Sequence, residues 1–228
     1  MSKLGIASRK EADALIVRGR VLLDGKPIRS LGVWIDPKRV KIQVNGKPTQ
    51  RIQKIYLALN KPAGVVTTHA DELGRQTVFD FLPAHLPRLF PIGRLDKETS
   101  GLLLFTNDTR FGERVSRPSV DVPKTYKMHL DKALEPTALT LLQQPMTLND
   151  GTTLKPAIIK QLSQDGRTCE ITIHEGKNRQ IRRMLEYLGY VVMKLKRVTI
   201  GGIRLAQLRE GATRMLTHSE VASILKVR

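Results

Sequence analysis

The basic residues of this 228-residue chain are crowded towards one end. Residues 1–54 hold 13 Lys and Arg against four acids, Glu11, Asp13, Asp24 and Asp36, so under a quarter of the chain carries +9 of a formal net charge of +18. The basic stretch closes with a polar connector, Gln50-Arg51-Ile52-Gln53-Lys54, and gives way at once to Ile55-Tyr56-Leu57-Ala58-Leu59, an apolar run with strand character. A segment that repels itself beside one that must be buried predicts two folding units, residues 1–52 and residues 53–228.

An excess of cations on this scale calls for a partner. Hydrophobic residues make up 40% of the chain, enough to fill a core, so the charge does not imply disorder. Lys and Arg that meet phosphates release condensed counterions, which makes a nucleic acid the leading partner. A plainly solvated, highly charged surface is the alternative. No stretch approaches the roughly 18–20 apolar residues of a membrane span. Nor is there a basic helix with Trp or Phe on an apolar face, so no membrane partner is expected. The opening Met-Ser-Lys-Leu-Gly has no apolar signal region, and Cys169, the single cysteine, allows no internal disulfide. Both point to a cytoplasmic protein, expected to be a monomer.

Within the basic stretch, Ser8 and Glu11 have the spacing of a capping box. A helix over residues 9–18 follows, with Ala12, Leu15 and Ile16 on its apolar face and Gly19 placed to end it. Asp24-Gly25-Lys26-Pro27 and Asn45-Gly46-Lys47-Pro48 predict two tight hairpin turns, because Asp, Asn and Gly tolerate positive φ. Ser8, Arg9, Lys10, Arg20 and Lys26 are candidate RNA contacts, since a helix N-terminus among basic side chains suits a phosphate. The other reading is an ordinary small helix with solvated charges.

Further on, Gly93-Arg94-Leu95-Asp96 leads into the apolar strand 102–105. A loop beside a buried strand is a rigid place to present one carboxylate. Taken alone, Asp96 reads better as a turn residue bonding its own backbone. In Lys124-Thr125-Tyr126-Lys127-Met128-His129-Leu130, Tyr126, Met128 and Leu130 share one face of a strand, which suits a core tyrosine. The helix beginning near Asn178 buries Ile181, Met184, Leu185 and Leu188 and stops at Gly189. On it Arg182 lies at the edge of the apolar stripe, and such an arginine needs an anion or a path for its head to water. Residues 177–197 hold seven Lys and Arg, among them Lys177, Arg179 and Arg182, against Glu186 alone, a stripe expected to follow an RNA backbone.

Two families are resembled. Gly5-Ile6-Ala7-Ser8-Arg9-Lys10-Glu11-Ala12 with Arg18-Gly19-Arg20-Val21 and Asp24-Gly25-Lys26 resembles the S4 RNA-binding domain over residues 1–48. From residue 55 onward, Asn60-Lys61-Pro62-Ala63-Gly64, Gly93-Arg94-Leu95-Asp96 with Thr99-Ser100-Gly101-Leu102, Lys124-Thr125-Tyr126 and Glu175-Gly176-Lys177-Asn178-Arg179-Gln180-Ile181-Arg182 are similar, in this order, to the pseudouridine synthases that carry an S4 domain and act on ribosomal RNA.

The resemblance implies an α+β protein: a small S4-like module, then a catalytic domain with a mixed, mostly antiparallel sheet flanked by helices. It implies Asp96 as the essential carboxylate, Arg182 as its ion-pair partner, Tyr126 as a stacking surface for a flipped uracil, and Leu195 packed beneath the site. Arg94, Lys124, Lys177, Arg179 and Gln180 would bind RNA. The partner would be ribosomal RNA or an assembling subunit. Breaking the C1′–N1 bond, turning the base and rejoining it through C5 oxidises nothing and imports no group, so no cofactor and no metal are expected. A carboxylate can serve as nucleophile or as base at a ribose proton, and sequence does not separate the two. The alternative function is a non-catalytic S4-type RNA-binding or ribosome-assembly factor. Cys169 is expected in the core, His69 in a solvated loop, and Thr217 with Glu220 as a capping box opening a last helix with Val221, Ile224 and Leu225 inside.

Overall fold

The computed structural model describes residue 1 and residues 6–36, 39–49, 53–69 and 71–226. Gly5 and residues 50–52 of the connector lie outside the described residues. The chain divides into two compact units, Met1–Ile55 with Asn107–Arg110, and Tyr56–Thr106 with Phe111–Arg228.

In the first unit, α1 (Arg9–Val17) opens with the expected capping box: Ser8 Oγ accepts from the Glu11 amide at 3.2 Å, and the Ser8 amide donates to the Glu11 carboxylate at 2.9 Å. Ala12 is buried, while Leu15 and Ile16 are only half-buried. β1 (Val21–Leu23) and β2 (Lys26–Ile28) flank the Asp24-Gly25 turn, and β3 (Ile42–Val44) and β4 (Lys47–Pro48) flank Asn45-Gly46. All four turn residues have positive φ, between 48° and 83°. The strands form an antiparallel sheet ordered β2-β1-β3-β4. Sequence reading did not foresee that residues 107–110 join this unit. Asn107 accepts from the Ile55 amide at 2.8 Å and donates to the Gln53 carbonyl, and Lys54 pairs with Asp108 at 2.6 Å.

The second unit is built on one large sheet. Its strands and helices run β5 (Tyr56–Lys61), β6 (Phe90–Ile92), β7 (Thr99–Thr106), α2 (Thr109–Ser116), β8 (Lys124–Leu130), α3 (Pro136–Leu142), β9 (Met146–Thr147), β10 (Thr153–Leu154), β11 (Ile158–Gln161), β12 (Thr168–Ile173), α4 (Gln180–Tyr187), β13 (Val192–Ile200), β14 (Ile203–Arg204), β15 (Thr213–Met215) and α5 (His218–Lys226). The sheet order is β11-β12-β8-β13-β7-β5-β15, with β14 on β13 and β6 on β7, while β9 and β10 pair separately. Every pairing is antiparallel except β13 with β7. That mixed sheet matches the expected α+β class.

β7 is the spine of the unit. Leu102, Leu103, Leu104 and Phe105 are all completely buried, so consecutive residues pack on both faces of the sheet. Each such side chain contributes about 1.5–3 kcal/mol relative to exposure. On one face Leu102 and Leu104 meet Phe111 and Val115 of α2 and Ile224 of α5. Where β7 meets β13, Gly101 has φ +102°, and a Cβ there would lie 2.2 Å from the Arg197 carbonyl oxygen. Only glycine permits this approach.

Two helices differ in part from expectation. α4 starts at Gln180 rather than near Asn178, because Arg179 adopts a left-handed conformation with φ +47°. Ile181, Met184 and Leu185 are buried as expected, but Leu188 caps the helix half-buried, with Gly189 following at φ +79°. In α5 the Thr217–Glu220 box is present and Ile224 is buried, but Leu225 is 45% exposed. Cys169 is buried in the core. No helix among the described residues is long and apolar enough to cross a membrane.

Candidate active site

The register of three strands brings the site together. β13 lies between β7 and β8, with Leu195 opposite Thr99 on one side and Met128 on the other. Two residues on, Arg197 faces both Gly101 and Tyr126. The loop that ends at Thr99 carries Asp96, and Asp96 and Tyr126 face one cavity although 30 residues separate them. They line a cavity of about 360 Å³ with Leu195, Arg197, Arg179 and Arg182.

The Asp96 loop is fixed by its backbone. Thr67 Oγ1 donates to the Leu95 carbonyl at 2.9 Å and accepts from the Leu95 amide at 3.4 Å. The Lys97 carbonyl accepts from the Gly64 amide at 2.8 Å, and the Asp96 carbonyl accepts from the Thr99 amide at 3.0 Å. Beneath the loop lies Lys61, completely buried, whose ammonium donates to the carbonyls of Thr99 (2.8 Å), Pro62 (2.9 Å) and Lys97 (3.3 Å). Burial lowers its pKa to about 8, against the opposing pull of the nearby Asp96 and Glu98 charges. Asp96 itself is half-buried, its neighbours tied down on both sides. Sequence reading treated Lys61 only as part of a motif and passed over Thr67.

Arg182 departs from its expected role. Its guanidinium donates to the carbonyls of Val192 (2.7 Å) and Glu98 (3.4 Å), and among the described residues no ion pair joins it to Asp96. Its Nε is buried without a partner. Burial and the neighbouring Arg179 lower its pKa, while Asp96 and Glu98 oppose that shift. The two groups therefore interact through the field across the cavity and through the Glu98 backbone rather than by direct contact.

Arg197, which the sequence placed in a stripe along RNA, is instead 4% exposed. Its Nε donates to the Leu102 carbonyl at 2.7 Å and its Nη1 to the Tyr126 hydroxyl at 3.3 Å, with the cation 5.8 Å from the Tyr126 ring centroid. Its second terminal nitrogen is buried and unpartnered. The alternation Leu195, Arg197 along β13 was the available signal, since both fall on one face. Tyr126 is 7% exposed on β8, and Leu195, 6% exposed, lines the cavity.

The other candidates separate. Arg94 and Arg179 are exposed on the cavity rim. Lys124 is half-buried and donates to the Val122 carbonyl at 3.0 Å; burial, and then the charge of Arg197, lower its pKa. Lys177 donates to the Thr153 carbonyl. Gln180 is buried, its amide accepting from the Lys177 N–H at 3.1 Å and donating to Glu175 at 2.8 Å, so it braces the loop before α4. Ser8 is occupied by its cap, while Arg9, Lys10, Arg20 and Lys26 are exposed in the first unit. His69 is exposed but stacks on Phe79 at 3.9 Å.

Comparison with known proteins gives this arrangement its family. Residues 55–187, more than half of the chain, match the family described as RNA pseudouridylate synthase. The chain belongs to that family. Residues 1–38 of the synthase match the S4 domain. The synthase is 40% identical over 221 residues to ribosomal large subunit pseudouridine synthase B of Bacillus subtilis (strain 168), covering 95% of this chain and 90% of that protein. It is 37% identical to an uncharacterized RNA pseudouridine synthase of Aquifex aeolicus (strain VF5), covering 99% and 92%. A solved pseudouridylate synthase superposes with a TM-score of 0.72 at 30% identity, over 97% of this chain and 95% of that one. The synthase is therefore an enzyme, an isomerase acting on RNA, and a purely RNA-binding role is set aside.

Proposed function

We propose that the enzyme converts a specific uridine of ribosomal RNA to pseudouridine, with Asp96 as its catalytic carboxylate. The observation that carries this is a carboxylate on a loop bonded through Leu95, Asp96 and Lys97, in a cavity that an aromatic ring, Tyr126, also lines. A volume of about 360 Å³ falls within the usual range for small-ligand pockets, roughly 300–1,000 Å³, and suits one extruded base rather than a duplex.

The uridine leaves its stack, at a cost of a few kcal/mol that loops and bulges reduce, and enters against Tyr126. Asp96 acts at the ribose, as nucleophile or as base, and the C1′–N1 bond breaks. The uracil turns within the cavity and C5 joins C1′; the C5 proton is lost and N1 carries a proton in the product, so the atoms balance. Arg182 acts as a positioning residue, holding Glu98 and hence the loop. Arg94 and Arg179 on the rim meet phosphates. Ribosomal RNA is preferred as substrate because the B. subtilis relative is named for the large subunit and the net charge of +18 suits a polyanion.

The test is to incubate the protein with unmodified ribosomal RNA and map pseudouridine chemically. One or a few modified positions are expected with the wild type and none with Asp96→Asn, whose RNA affinity stays close to normal. Undiminished modification by Asp96→Asn removes Asp96 from its role.

A further inference from the structure

The first unit carries an apolar feature that neither its core nor the catalytic site uses. In the loop between β2 and β3, Leu31 is 53% exposed, Val33 48% and Trp34 94%. Trp34 makes no hydrogen bond or ring contact with any described residue, so both faces of the indole are open. Three apolar side chains within four residues, two half-exposed and one almost fully exposed, form an apolar patch that calls for a partner. Around them in sequence, Arg29, Arg39 and Lys41 are exposed, with Arg39 only loosely paired to Asp36 at 3.5 Å.

We propose that residues 31–34 form a stacking platform for an unpaired RNA base, with Trp34 against the base and the adjacent cations on the flanking phosphates. This rests on the reading that the enzyme acts on RNA, and adds a second point of recognition outside the catalytic cavity. The choice of occupant follows from the chemistry. A ring with open faces beside cations favours a ligand that joins a π face to a phosphate, and single-stranded RNA does so at every nucleotide. In a duplex the base faces are already stacked on one another, so the platform selects loops, bulges or ends. A protein partner for a segment of charge +9 would instead have to be acidic, and nothing about an open indole favours a carboxylate.

Trp34 is the only tryptophan in the chain, so its emission reports on this loop alone. The full-length protein is titrated with a single-stranded oligouridylate and separately with a blunt RNA duplex, while anisotropy of end-labelled RNA measures binding independently. Emission is expected to be quenched by the single strand and unchanged by the duplex at equal occupancy. Trp34→Ala should weaken single-strand binding about tenfold, and Trp34→Phe should keep it within about threefold of wild type. Because the side chain is exposed, both variants should fold with unchanged circular dichroism. Unquenched emission at saturating single strand, equal quenching by the duplex, or wild-type affinity in Trp34→Ala overturns the proposal. Quenching by ribosomal proteins but not by RNA overturns it in favour of protein docking. Failure of the wild type to bind either RNA by anisotropy overturns the RNA-directed reading as well, which separates the two failures.

Discussion

Arg182 donates a hydrogen bond to the backbone carbonyl of Glu98, two residues beyond Asp96, instead of binding the Asp96 carboxylate. Its shorter bond goes to the carbonyl of Val192 at the start of β13, so one guanidinium ties the Asp96 loop to β13. This leaves the carboxylate oxygens free of guanidinium contact. The cost is a half-buried cation held by neutral acceptors, and the lowered pKa of Arg182 reflects it.

Arg182→Ala should therefore lower the single-turnover rate at saturating enzyme by more than it weakens RNA binding, and should reduce stability by about 1–3 kcal/mol through the two abandoned carbonyls. Arg182→Lys, which can reach only part of this arrangement, should fall between. Single-turnover kinetics and urea unfolding on the same preparations check both effects. An unchanged single-turnover rate in the alanine variant would reject the positioning role.

Lys61 gives a pH dependence of stability. Its folded pKa is about 8, below its ordinary value of 10.5. Below pH 8 both states hold the proton and the group's contribution is constant. Between about pH 8 and 10.5 the unfolded chain keeps a proton that the folded chain has released, so this group makes the protein more stable as pH rises. Lys61→Met should be less stable than wild type at every pH, because the carbonyls of Pro62, Lys97 and Thr99 lose their shared donor. The gap between the two proteins should widen from pH 7.5 to 10. Urea midpoints measured across that range test this; a constant gap would mean that Lys61 does not titrate there.

Tyr126 bonds Arg197, and its proposed stacking on the base can be separated from that bond. Tyr126→Phe keeps the ring and loses the hydroxyl that accepts from Arg197, so it should retain most of its turnover and lose about 0.5–1.5 kcal/mol of stability. Tyr126→Ala removes the surface for the base and should cost a further 1–3 kcal/mol or so in transition-state binding, read from single-turnover rates across an enzyme titration. Equal rates for the two variants would exclude stacking on this ring.

Gly101→Ala should fail to yield folded protein. The new methyl would lie 2.2 Å from the Arg197 carbonyl oxygen, in a backbone conformation that L side chains rarely adopt. The clash is with backbone in the middle of the sheet, so no side chain can give way, and the expected loss exceeds about 4 kcal/mol. Soluble yield and circular dichroism of the variant decide it.

The sequence by itself determined the features that short-range physics controls. Ser8 with Glu11 and Thr217 with Glu220 close bonds across three residues, and Asp24-Gly25 and Asn45-Gly46 supply positive φ where they stand, so both caps and both hairpins were legible without tertiary context. Asp96, Tyr126 and Leu195 were found through a family resemblance, not through spacing. Only the tertiary structure decided what surrounds them. The parallel pairing of β13 with β7 sets residues about 96 positions apart side by side and buries Arg197, the pairing of β5 with β7 places Lys61 under the Asp96 loop, and Arg182 on α4 turns to backbone carbonyls. A Lys or Arg within a basic stretch carries no local sign that it will be buried. Its environment depends on which strands pack beside it, and pairing across such distances is settled by the global burial of apolar surface rather than by its neighbours in the chain.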